Sequence, residues 1–232
     1  MNILKQKVKT IIETNNDTIK TWITQKEDHH ILPFYFSVDI RDTSFKSSVI
    51  DTNLFPAGFN NLCLNCSDSK NTLIKDSILK KNPHTKTILL VAEEHTRNTW
   101  YLENLRILKQ AIDNAGFNTI IGTFFENIEN HLTTNPSLTF QTATEHTIQI
   151  HSIRQLLNSD KQIDLILLNN DLSKGIPNPL KQISIPIFPH IEAGWHKRTK
   201  SAHFIKANNL LSEFADQFKF DPWAISCFSK VV

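Results

Sequence analysis

The stretch KTILLVAEEHTRNTWYLENLRILKQAIDNAGFNTIIGTFF, residues 86–125, constrains the fold more than any other part of the chain. Ile88 to Ala92 form the short apolar run that a buried strand requires. Tyr101, Leu105, Leu108, Ile112 and Ala115 then recur in steps of four and three, which puts them on one face of a helix. Gly116 follows where a helix closes with a left-handed residue, and Asn118 to Phe124 supply a second strand. A strand, helix and strand joined this tightly make a βαβ unit with parallel strands and a right-handed crossover. The expected class is α/β, an open and mostly parallel sheet flanked by helices.

Other elements read less directly. Phe34 to Val38 (FYFSV) is aromatic and β-branched, and is expected as a strand of the same sheet. Ile163 to Leu168 (IDLILL) is apolar throughout, as a strand covered on both faces would be. Ile183 to Phe188 (ISIPIF) contains Pro186, so it is an edge strand or no strand. LTFQTATEHTIQIHSI alternates enough for a hairpin, and Arg154 to Asn158 make one helical turn. Helices are expected over 67–81 and 201–218, the latter with a stripe of Phe204, Ala207, Leu211, Phe214 and Phe218. At the N-terminus, Leu4, Val8, Ile11, Ile12, Ile19 and Trp22 mark an amphipathic helix. The expected division is a helix and lead-in over 1–33 and an α/β domain over 34–232.

Composition bounds the partners. The 232 residues are 40% hydrophobic and 21% charged, with a formal net charge of +2, too small to make nucleic acid the main partner. No apolar run approaches the ~18 residues that a membrane span needs, so no membrane partner and a cytoplasmic location are expected. Cys63 and Cys66 form a lone C-x-x-C, read as two reduced thiols, and Cys227 stands apart.

Each expected strand runs into polar residues. FYFSV leads to Asp39-Ile40-Arg41, ILLVA to Glu93-Glu94-His95-Thr96-Arg97-Asn98, LILL to Asn169-Asn170-Asp171, and IPIF to Pro189-His190 and then IEAGWHKRTK. Parallel strands gather such ends on one edge, where open α/β sheets bind ligands. Strand ends are also polar because they meet solvent: Asn98 suits a helix cap and Asp171 an Asx turn. Arg41 and Arg97 offer forks for carboxylate or phosphate, or form ordinary ion pairs. Asn53, Asn60, Asn61, Asn98, Asn169 and Asn170 offer donors and acceptors, while Asp51, Glu93, Glu94 and Asp171 can receive an ammonium group. That inventory suits a zwitterionic amino acid. The stretch from Asp39 to Asn61 is expected to hold its charged ends, with Pro56 and Gly58 turning Asn53 and Asn60 towards one space; the same asparagines can instead bond the turn itself. Lys197, Arg198 and Lys200 are phosphate contacts or a solvated basic turn. His95, Asp171, His190 and His203 leave open a metal-dependent hydrolase, and a non-catalytic amino-acid-binding module is a further alternative. Trp195 and Trp223 read as packing residues. With only 5 glycines the chain has no G-x-G-x-x-G, Walker A or G-x-S-x-G pattern, and it lacks H-E-x-x-H.

The strings SVDIR, DTNLFPAGFNNL, EEHTRNTWYLENL, LILLNNDLSKGIP, AGWHKRTKSAHF and DPW occur in that order between about 34 and 223. In them the chain resembles the glutamate–cysteine ligase family of the Thiobacillus ferrooxidans type, a proteobacterial group distinct from the enteric and plant forms. The resemblance implies ATP-dependent joining of the L-glutamate side-chain carboxylate to the amino group of L-cysteine, the first step of glutathione biosynthesis. Glutamate would be activated as an acyl phosphate and Mg²⁺ would bridge the ATP phosphates. It also implies an ATP-grasp-like plan, an α/β substrate domain followed by a nucleotide-binding part. Family members continue beyond DPW, so this chain is expected to be the N-terminal half, inactive alone, with the C-terminal half as partner. CLNC is not a family feature.

Overall fold

The computed structural model describes residues 3–27, 33–62, 67–93, 97–124 and 137–227. Cys63, Cys66, Glu94 and His95, which the sequence singled out, lie outside the described residues. The chain divides into two compact units, Leu54–His196 and Met1–Asn53 with Lys197–Val232. That division does not follow the boundary at residue 33 expected from sequence.

The unit Leu54–His196 holds a six-stranded sheet. The strands are β3 (Thr87–Val91), β4 (Asn118–Thr123), β5 (Ser137–Gln141), β6 (Thr147–Ser152), β7 (Leu165–Leu168) and β8 (Ile187–Phe188), in the spatial order β5-β6-β4-β3-β7-β8. All neighbours are parallel except β5 and β6, which form the antiparallel hairpin. The expected βαβ unit is present, with Leu89 opposite Ile120 across β3 and β4. Its helix, α3 (Thr99–Asn114), ends before Gly116, whose φ of 100° is open only to glycine without strain. Helix α2 (Ser67–Lys81) precedes β3.

β3 and β7 sit centrally with neighbours on both sides, and every residue of β7 is buried. That explains the unbroken apolar run of the sequence. On one face Leu89, Val91, Ile166 and Leu168 pack with Phe55, Ile153 and Leu172. A Cβ on Gly122 of β4 would lie 2.6 Å from Ile153 Cγ1 and 3.0 Å from Leu89 Cδ1, so glycine is what lets Ile153 close over the sheet. β8 is an edge strand, immediately after Pro186, and β5 forms the opposite edge. β4 and β6 pair only at their carboxyl ends, Gly122 with His151 and Thr123 with Ser152. Upstream, α3 stands in for the neighbour: Asp113 Oδ1 accepts from Thr119 N at 3.0 Å, and Lys109 Nζ donates to Thr119 O at 2.8 Å.

The unit Met1–Asn53 with Lys197–Val232 contains α1 (Ile3–Glu27), the hairpin β1 (Ser37–Asp42) and β2 (Ser47–Asn53), and α4 (Lys200–Gln217). Leu4 and Val8 of α1 pack with Ala215, Phe220 and Ala224, and Trp22 meets Phe214 edge to face at 5.4 Å. The DPW segment caps a short helical turn through Asp221, whose carboxylate accepts from Trp223 N at 3.0 Å. The buried Lys46 donates to Trp223 O and Ser226 Oγ at 2.8 and 2.7 Å.

Here the structure corrects the sequence reading. Phe34 to Val38 is not a strand of the parallel sheet. The strand starts at Ser37, runs to Asp42 and pairs antiparallel with β2 alone. Val38-Asp39-Ile40-Arg41 alternates apolar and polar residues, the pattern of a strand that continues, not of a strand end.

Candidate functional site

Four parallel neighbours bring the carboxyl ends of β3, β4, β6, β7 and β8 to one rim. Residues 54–62 are tied into it. Phe55 anchors in the core with Val91 and Leu168. Asn169, at the tip of β7, donates its side-chain amide to Pro56 O, and its backbone N–H reaches Val91 O at 2.9 Å. Phe59 N donates to the buried Asn104 Oδ1 at 2.8 Å. Gly58, at φ 71°, makes the turn into the 3-10 segment Phe59–Asn61. That turn presents Asn60 half-buried and Asn61 exposed.

Glu93 links the two central strand tips. Its Oε1 accepts from Asp171 N at 3.3 Å, and its own N–H donates to Tyr101 Oη at 2.7 Å. Burial pushes the Tyr101 phenol far up, against the Glu93 backbone bond, so it stays protonated. Gly194 comes so close to Leu172 and His196 that a Cβ would stand 2.7 Å from each, and Trp195 N bonds Asp171 O at 2.9 Å.

Several rim residues serve their own backbone. Asn98 Oδ1 caps α3, accepting from Trp100 N and Tyr101 N at 3.1 and 3.2 Å. Asn170 Oδ1 accepts from Leu172 N at 2.7 Å, and Asp171 Oδ1 from Ser173 N at 2.9 Å, both as Asx turns. His190 Nδ1 accepts from Glu192 N at 3.2 Å. Asn169 differs: it is 4% exposed, and its Oδ1 is buried without a hydrogen-bond partner among the described residues. A buried acceptor without a donor is costly unless a ligand or water supplies one. Arg97 is exposed in the turn before α3.

The other unit holds a second polar cluster. His203 Nε2 lies 2.7 Å from Thr52 Oγ1, Arg198 Nη1 lies 3.3 Å from the same hydroxyl and Nη2 3.4 Å from Thr52 O, and Lys200 Nζ pairs with Asp51 at 3.1 Å. Burial, then the Arg198 charge, pushes the His203 imidazole down, with Asp51 opposing. His203 is therefore neutral at pH 7. Burial likewise lowers Arg198, though Asp51 acts against it. Asn53 ends β2, Lys197 is exposed, and Arg41 is exposed on β1. Arg41 is thus not at the carboxyl end of any strand of the parallel sheet, where it was expected beside Arg97 and Asn170.

Sequence reading missed Glu103 and Asn104, both buried in α3. Asn104 lies three residues after Tyr101 and four before Leu108, on the apolar stripe, and a polar residue at such a position was the available signal. Among the described residues no three His, Cys, Asp or Glu side chains gather as metal ligands. The hydrolase alternative, built on His95, Asp171, His190 and His203, gains no support there.

A mostly parallel sheet with a tied-down polar rim defines an α/β protein of the open-sheet class. The chain belongs to the glutamate–cysteine ligase family, whose model matches residues 9–232. It is also similar, at 33% identity and a TM-score of 0.86, to the crystal structure of a protein from Methylobacillus flagellatus KT assigned as a gamma-glutamylcysteine synthetase. The likeness covers 95% of this chain and 51% of that one, so the chain spans about half the length of that relative. No curated protein matches the sequence. No helix among the described residues is long and apolar enough to cross a membrane.

Proposed function

We propose that this chain provides the amino-acid-binding part of an ATP-dependent ligase that joins L-glutamate to L-cysteine, acting in the cytoplasm as a member of the Thiobacillus-type proteobacterial branch. The observation that carries the reading is the family match along residues 9–232. Two features of the molecule support it. At the rim, Asn169 Oδ1 is a buried acceptor in want of a donor, which the ammonium group of an amino acid supplies. Asn170 and Asp171 follow it in sequence, Asn60 and Asn61 lie in the segment it holds through Pro56, and Arg97 and Asn98 follow β3 with Glu94; these side chains are read as the contacts for a zwitterion. The other unit separately carries Arg198 and Lys200, with Lys197, a cationic group suited to phosphate oxygens; Asp51 pairs with Lys200, and Asn53 follows Thr52 at the end of β2.

Among the described residues no three side chains converge as a metal-ligand set. No step here is routed through the Mg²⁺ and ATP of the family, and the chemistry ascribed to this chain is binding and orientation of the amino acids. About half of the relative's length lies outside the matched part. The chain is accordingly assayed alone and together with that remaining half, for ADP release that depends on both L-glutamate and L-cysteine. Release that needs both acids is the expected result; none in either format, from folded protein, overturns the ligase.

A further inference from the structure

The hairpin leaves one surface unaccounted for. β1 has β2 on one side, and its other edge has no strand among the described residues. From Val38 onward every residue of β1 is exposed, whereas β2 is half-buried and its Thr52 carbonyl takes the Arg198 guanidinium. The extra residue of the bulge in the pair, Ile50, belongs to β2, so β1 runs without an insertion. Phe36, Val38 and Ile40 line one face of this edge, 66%, 37% and 62% exposed. Asp39 and Arg41 line the other, and neither pairs with a described charge. A regular, unguarded edge with an apolar face is a template for a further strand.

We propose that this edge pairs antiparallel with the same edge of a second copy of the chain, about a two-fold axis at Ile40. The choice of occupant comes from the charges. Backbone N–H and C=O groups of successive residues point to alternate sides of a strand, so an edge presents every second residue. Two identical antiparallel edges must match residues of like parity, which sets one residue opposite its own copy. An axis at Asp39 or at Arg41 would set like charges face to face. An axis at Val38 would set Asp39 opposite Ser37 and Arg41 opposite Tyr35, with no charge matched. An axis at Ile40 sets Asp39 opposite Arg41 twice over, and Ile40 against Ile40. Asp42, then opposite Val38, is already neutralised by Lys5 Nζ at 2.9 Å. A two-fold axis normal to the sheet keeps each face on its own side. Phe36, Val38 and Ile40 of both copies therefore form one apolar stripe across a four-stranded sheet. An isologous interface of this kind closes on itself as a dimer and does not propagate.

The test is sedimentation velocity on the full chain and three charge variants. The wild type is expected to dimerise with concentration. Asp39→Arg and Arg41→Asp each place two like-charged pairs across the axis and are expected to weaken the dimer by tenfold or more. Mixing these two variants restores both pairs, so a heterodimer is expected where neither alone associates. The double variant D39R/R41D is self-complementary again and is expected to regain the wild-type dimer. Circular dichroism of each variant, with both positions exposed, separates loss of pairing from loss of folding. A wild type that stays monomeric at roughly 100 μM, a hundredfold above a micromolar dissociation constant, overturns the proposal. So does a dimer that ignores the single reversals, or variants that fail to complement on mixing.

Discussion

In the sheet unit, Asn98, Asn170 and Asp171 bond backbone N–H groups two or three residues away from themselves. In the helix–hairpin unit, the bonds of Thr52 to Arg198 and His203 cross 146 and 151 residues of sequence, and Asp51 meets Lys200. The residue types overlap, and their uses differ. A short polar side chain after a strand has its own chain within reach and shapes the turn. A long cation reaches across elements, and its partner is set by the fold. The first unit therefore shapes the turns of its rim by local chemistry, ties those turns together through Asn169, Glu93 and Asn104, and is held by an apolar core. The second rests on a smaller apolar contact and a group of charges.

The largest expected effect breaks the sheet unit at its most deeply buried ion pair among the described residues. Glu103 is 3% exposed and accepts from Arg106 at 2.6 Å and Thr144 Oγ1 at 2.7 Å, so it fastens α3 to the β5–β6 turn. Glu103→Ala is expected to cost about 3 kcal/mol, near the lower end for a severed buried pair because Arg106 keeps some solvent. Urea denaturation measures it, and hydrogen exchange is expected to localise it to residues 54–196. Next, Gly122→Val forces a methyl into Ile153 and Leu89 and is expected to cost about 1–3 kcal/mol in the same unit.

Acid separates the units. Hydrogen bonds from Arg106, then those from Thr142 and Thr144, hold the Glu103 carboxyl down to about 2 against its burial. Its folded value lies below the ordinary 4.5, so its contribution is complete above that pH and is lost as pH falls towards 2. His203 is also lowered, from 6.5, but it is a base. Below that value the unfolded chain takes up a proton that the folded chain resists, so stability falls as pH drops through 6.5. Exchange rates in residues 1–53 and 197–232 are expected to rise first on acidification, and His203→Gln to remove that early rise. The smallest effect belongs to Lys200→Ala. Its pair with Asp51 is largely solvated, and a change under about 1 kcal/mol in stability is expected.

What sequence reveals follows the same divide. The βαβ unit was legible because β3, α3 and β4 are consecutive and their burial follows strict periods. Gly116 could be placed because a helix end makes a local demand. Asn98 and Asp171 could be read as a cap and an Asx turn for the same reason. The hairpin misled because an aromatic run, FYF, stands just before the strand and drew attention from the alternation that followed. Glu103 was hidden because its pair with Arg106, one turn on, looks like an ordinary helix-surface pair, while the partners that bury it, Thr142 and Thr144, sit 39 and 41 residues on. The cluster around Thr52 was half visible: Arg198, Lys200 and His203 stand out within six residues, but nothing local to them names Thr52. A cluster built from distant segments shows only part of itself in any one of them.

The clasp of α3 on Thr119 has a consequence for how the protein survives in crowded company. Parallel strands that part company partway along leave rungs that a stray polypeptide can occupy, and such seams are where fibrils take hold. Lys109 and Asp113 have already filled the rung at Thr119, so an intruder must first dislodge a tethered ammonium and carboxylate from both backbone groups at once. The opening is thereby kept as a groove rather than a seed.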